Sequence, residues 1–70
     1  MSKQKYALLR GAIRAKFGTQ EAFAQAMNMR ISTLSAKLND RSEWTKSQMK
    51  RACELLEIPI TEAHLYFFAD

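Results

Sequence analysis

Residues 19–58 contain neither glycine nor proline, and the whole chain has only two glycines, Gly11 and Gly18, and one proline, Pro59. A chain with so few free turning points must bend at helix ends, where Asn, Asp, Ser and Thr supply caps. No segment alternates apolar and polar residues over a sustained run, so no sheet is expected. The apolar residues recur instead at helical spacing. Leu9, Ile13 and Phe17 form one stripe of a helix over residues 6–17, closed by Gly18 as a left-handed cap. Thr19 then caps a second helix over residues 20–28 that turns Phe23, Ala24 and Met27 inward. Asn28 tolerates left-handed angles, so the chain can turn there through Met29 into a third helix over residues 31–38, with Leu34 and Leu38 as its apolar pair. Residues 39–42 read as a turn, and Thr45 and Gln48 have the spacing of a capping box before a fourth helix bearing Met49, Ala52, Cys53 and Leu56. Pro59 interrupts that helix after Ile58, and Thr61 is placed to cap a last short helix running through residues 64–68. The expected fold is all-α, a compact bundle of five helices. Its expected core is Leu9, Ile13, Phe17, Phe23, Met27, Met29, Leu34, Leu38, Met49, Ala52, Cys53, Leu56 and Ile58.

Size and charge narrow the function. Seventy residues make a single domain, and a domain of this size buries only about 60% of its unfolded surface, which leaves little room for a deep active site. No run approaches the ~18 apolar residues that span a bilayer, and no apolar stretch follows the basic N-terminus as a signal peptide requires. A cytoplasmic protein is expected. Residues 1–41 hold eight Lys or Arg against two acidic residues, a balance of +6, whereas residues 42–70 hold three against five, a balance of −2. A positive surface backed by an acidic one suits a polyanionic partner. The lone Cys53 has no disulfide partner and reads as core filler, and His64 has no companion at metal spacing. No nucleophile, base and oxyanion donor can be named together, so neither an enzyme nor a cofactor is expected.

The informative stretch spans residues 20–39. Two helices crossing at close quarters need a small residue at the contact, here Ala24, a turn residue between them, here Asn28, and apolar anchors, here Phe23, Met27, Met29 and Leu34. In this stretch the sequence resembles the phage repressor and Cro family, whose motif reads Gln-Glu, a hydrophobic residue and Ala, then a turn, a hydrophobic residue and a closing Asn. The flanks add to the likeness. Lys37-Leu38-Asn39, Trp44-Thr45 and the closing Tyr66-Phe67-Phe68 look like the short Cro-like proteins of phages of Gram-positive bacteria. Two positions differ from the motif: Asn28 stands where a turn Gly is usual, and Ile31 where a polar base-reader is usual.

The resemblance implies a lambda-repressor-like domain over residues 1–70 whose helix-turn-helix covers about residues 20–39, with helix 3 in the major groove of an operator. Thr19 and Gln20 would meet phosphate at the start of helix 2, and Ile31, Ser32 and Thr33 would face bases. Asn39 would bind phosphate, with Arg30 and Lys37 beside them by charge. The family also implies a second reading. Members of this size act as antirepressors or modulators that bind a companion repressor, and an exposed Ile31 suits a protein partner as well as DNA. Tyr66, Phe67 and Phe68 cannot all face inward on one helix, so this segment is expected to supply a homodimer contact. Trp44 reads as a core cover, not a base stacker.

Overall fold

A computed structural model of the chain describes residues 6–68. Among these residues there are five α-helices and no strand: α1 (Ala7–Phe17), α2 (Gln20–Ala26), α3 (Ile31–Leu38), α4 (Lys46–Leu56) and α5 (Ala63–Phe67), with a 3₁₀ turn at Ile60–Glu62 before α5. Lys3 and Lys5, which contribute to the basic N-terminal balance, lie outside the described residues.

The expected start signals act where the spacing placed them. Thr19 Oγ1 accepts from the Ala22 amide at 3.1 Å at the head of α2. At the head of α4, Thr45 Oγ1 accepts from the Gln48 amide at 3.1 Å, and Gln48 Oε1 accepts from the Thr45 amide at 3.0 Å. That reciprocal pair is a complete capping box. Thr61 behaves differently from expectation: it lies inside the 3₁₀ turn, whose cap is Pro59, and Glu62 precedes α5 with no side-chain cap bond. Proline fixes the turn's first φ near the helical value, so a hydroxyl cap is not needed there.

Three helices stop in the same way, and none of them uses glycine. Asn28, Asp40 and Glu57 follow α2, α3 and α4 with φ of 60°, 61° and 58°. In each case the next residue's amide reaches back to a carbonyl in the last turn: Met29 to Ala24 at 2.9 Å, Arg41 to Ala36 at 2.8 Å, and Ile58 to Cys53 at 2.9 Å. This six-to-one bond is the Schellman closure, which satisfies carbonyls that a helix end leaves unpaired. Only α1 ends on glycine, Gly18, at φ 83° and ψ −44°, a conformation that L side chains rarely adopt.

Helix α1 packs against α2, α4 and α5, and α2 packs against α3. The core holds ten of the thirteen expected residues as fully buried, with Phe17, Met29 and Met49 only partly buried against it. Tyr6, Ala24 and Phe67 complete it. Phe23 is 0% exposed and meets Phe17 edge-on at 5.2 Å, while Phe67 meets Trp44 edge-on at 5.0 Å. Trp44 therefore covers the core between the α3–α4 loop and α5. The described residues measure 31 × 27 × 22 Å.

Candidate functional site

One exposed surface lies where α2 turns into α3. The Schellman closure at Asn28 reverses the chain within four residues and brings the half-buried Met29 back against Ala24, which is 1% exposed. Arg30 is extended, with φ −74° and ψ 151°, and it caps α3 without a side-chain bond. From there Arg30, Ile31, Ser32 and Thr33 all face solvent, and Ile31 is 40% exposed. A groove of about 530 Å³ runs beside them, lined by Glu21, Ala24, Gln25, Met29, Arg30 and Ile31 among others. Its floor is apolar and its walls carry one charge of each sign.

The other end of α3 is pinned from outside the α2–α3 pair. Arg10, on α1, donates from Nη2 to the Leu38 carbonyl at 2.8 Å and to Asn39 Oδ1 at 3.1 Å, and Asn39 Nδ2 donates to Ser35 Oγ at 3.3 Å. A cation at a helix C-terminus is favoured by the exposed carbonyls there. Sequence reasoning missed Arg10. Its signal was present: three and seven residues before Ile13 and Phe17, it stands at the edge of the buried stripe of α1. Next to it, a second cleft of about 520 Å³ is lined by Arg10, Gly11, Arg14, Gly18, Thr19 and Gln20, with Ile13 at its base.

Of the residues proposed from sequence, Thr19, Arg30, Ile31, Ser32, Thr33 and Asn39 are exposed and Gln20 is half-buried. Lys37 requires a correction. Its side chain is 5% exposed, its ammonium donates to the Glu43 carbonyl at 2.8 Å, and it lies 5.8 Å from the Trp44 ring centroid. It tethers the loop after α3 and is not offered to a phosphate. Phe67 requires another: at 3% exposure it belongs to the core, because the same α5 face that carries Ala63 turns toward α1 and α4. Phe68 is 65% exposed and Tyr66 only partly buried, so of the C-terminal aromatics Phe68 is the one presented to solvent. Burial pushes the Cys53 thiol above its usual pKa. No group of three or more His, Cys, Asp or Glu side chains is placed to hold a metal ion among the described residues, and no helix there is long and apolar enough to cross a membrane.

The described residues form a small all-helical protein with two neighbouring surface depressions, one at the α2–α3 turn and one beside α1. The chain belongs to a family described as a protein of unknown function, DUF739, whose model it matches over residues 1–70. It is similar to the modulator of repression (MOR) of the temperate bacteriophage TP901-1 from Lactococcus lactis, known from a solution structure. The two share 40% sequence identity with a TM-score of 0.80, covering 97% of this chain and 90% of that one. The comparison with curated proteins gave no match.

Proposed function

We propose that this chain is a non-catalytic modulator that docks on a partner repressor protein, using the first turn of α3 as its contact and α2–α3 as a helix-turn-helix. The observation that carries this reading is the division of α3: Lys37 is withdrawn into the fold, while Ile31 stands exposed beside an apolar groove. Truncating one anchor that fills a pocket typically removes most of a small interface's energy. The likeness to a phage modulator of repression supports the same reading. Both partners would meet in the host cytoplasm.

Operator binding is the second reading, favoured by the exposed Ser32 and Thr33, which can bond base edges, and by Gln20 at the start of α2, whereas the Asn39 side chain is engaged by Arg10 and Ser35. Three cations of the basic half are already engaged, whereas Arg14, Arg30 and Arg41 face solvent. Arg10 is bonded to the end of α3, Lys16 pairs with Glu57 at 2.9 Å, and Lys37 is buried. The chain carries one α3, and the described residues extend 31 Å at most, whereas two half-sites lie roughly 34–36 Å apart, so DNA recognition of that kind would need two copies.

Titration of the chain with the repressor from its own genome, and separately with operator DNA, distinguishes the two. Repressor docking predicts a complex that Ile31→Asp abolishes and that depends weakly on salt. DNA binding by the chain alone that falls by about 10³–10⁵ between 50 and 200 mM salt would overturn the proposal.

A further inference from the structure

The cleft beside α1 is basic on every charged wall. Arg10 and Arg14 stand one turn apart on α1, and no acidic residue lines the space between them and the α1–α2 turn. Like charges at this spacing repel on a bare helix. Arg10 cannot swing away, because its guanidinium is fixed by the Leu38 carbonyl and Asn39 Oδ1. Arg14 is exposed and makes no side-chain bond among the described residues. Gly11 and Gly18 leave the approach open, since a Cβ at either position would meet nothing within 4 Å. The Thr19 hydroxyl oxygen accepts from the Ala22 amide, so its O–H and the Gln20 amide add neutral donors beside the two guanidinium groups, which carry the cleft's charge.

We propose that this cleft receives a carboxylate side chain of the same protein partner whose apolar anchor seats at Ile31. The inference rests on the repressor-docking reading and adds the chemistry of the partner's surface. Gln20 lines the cleft and Ala24, one turn further along α2, lines the Ile31 groove, so the two depressions neighbour each other along α2. A guanidinium pair favours a planar carboxylate, which it can hold through parallel N–H bonds. A nucleic-acid backbone would also supply an anion, but it would meet the neighbouring apolar groove floor at Met29 and Ile31. The partner therefore presents an aliphatic side chain with an Asp or Glu nearby. Arg14 supplies the free charge of the site, and Arg10 supplies a fixed one.

The test uses the full chain and the purified repressor from its own genome, with binding followed by calorimetry in Arg14→Glu, Arg14→Gln, Arg14→Lys and Ile31→Asp variants. Helical content and melting temperature serve as fold controls, and Arg14→Gln covers the case of a misfolded Arg14→Glu. A cleft that holds a carboxylate predicts a loss of about tenfold to a hundredfold for Arg14→Glu, a smaller loss for Arg14→Gln, and the smallest but still measurable loss for Arg14→Lys, which keeps the charge without the planar fork. If Arg14→Glu and Arg14→Gln bind as tightly as the unaltered chain while Ile31→Asp does not, the carboxylate site is wrong and repressor docking stands. If the unaltered chain does not bind the repressor, both fall. If Arg14→Glu instead removes a steeply salt-dependent affinity for DNA, the cleft is a phosphate site and the carboxylate assignment is overturned.

Discussion

Lys37 and Arg10 exchange the roles that charge alone would give them. Both are cations in the basic half of the chain, yet the structure spends each on a backbone carbonyl at an end of the α3 region. A hydrogen bond from a charged group to a partly buried acceptor contributes about 1.5–3 kcal/mol, whereas the alkyl stem adds packing that a neutral side chain can keep. Lys37→Met is therefore expected to lower stability by about 1–2 kcal/mol in urea unfolding while leaving the salt dependence of any DNA binding unchanged. A phosphate-binding Lys37 would give the reverse: intact stability and a shallower salt slope. Burial also shields Cys53, whose thiol is pushed toward the protonated form. The thiolate is the reactive species, so modification by a thiol reagent at neutral pH is expected to be slow in the folded chain and fast in urea. Equal rates in the two states would contradict the buried placement.

At the scale of helices, the ends were more legible than the faces. Thr19, Asn28 and the Thr45–Gln48 box announced themselves because capping depends on residues a few positions apart. Glu57 did not, since nothing in a glutamate signals a left-handed backbone; that angle goes with the Ile58 amide closing on the Cys53 carbonyl and with the burial of Ile58. Holding a glutamate there costs roughly 1–2 kcal/mol, partly offset in a glycine variant by the entropy of the unfolded chain. Glu57→Gly is accordingly expected to raise stability by about 0.5–1 kcal/mol, even though it removes the exposed pair with Lys16. An unchanged or lower melting temperature would show that the strain is absorbed elsewhere. Ala24, at 1% exposure under the α2–α3 crossing, gives the opposite case. Ala24→Leu should overpack that crossing and cost about 1–3 kcal/mol, and an unaltered melting temperature would contradict the close helix contact. The faces were harder because they depend on long-range partners. Arg10 and Asn39 are 29 residues apart, and no local pattern joins them.

For the molecule as a whole, the C-terminal segment is part of the core and not an appendage. The sequence offered Tyr66, Phe67 and Phe68 as equivalent aromatics, and the distinction between them arises only when α5 docks on α1 and α4. Removing residues 65–70 would extract Phe67 along with Phe68, so loss of self-association in such a truncation could not be separated from loss of the fold. Phe68→Ser isolates the question. If Phe68 supplies a dimer contact, sedimentation should show the variant shifted to monomer at unchanged stability; an unaltered distribution would place any self-contact elsewhere. The chain's single tryptophan gives a spectroscopic handle on this packing. Trp44 sits edge-on to Phe67, with its indole nitrogen shielded from water and without a hydrogen-bond partner among the described residues. Its emission should therefore fall at the short-wavelength end of the tryptophan range and move to longer wavelength as α5 lifts away, which makes undocking of the last helix visible without any added label.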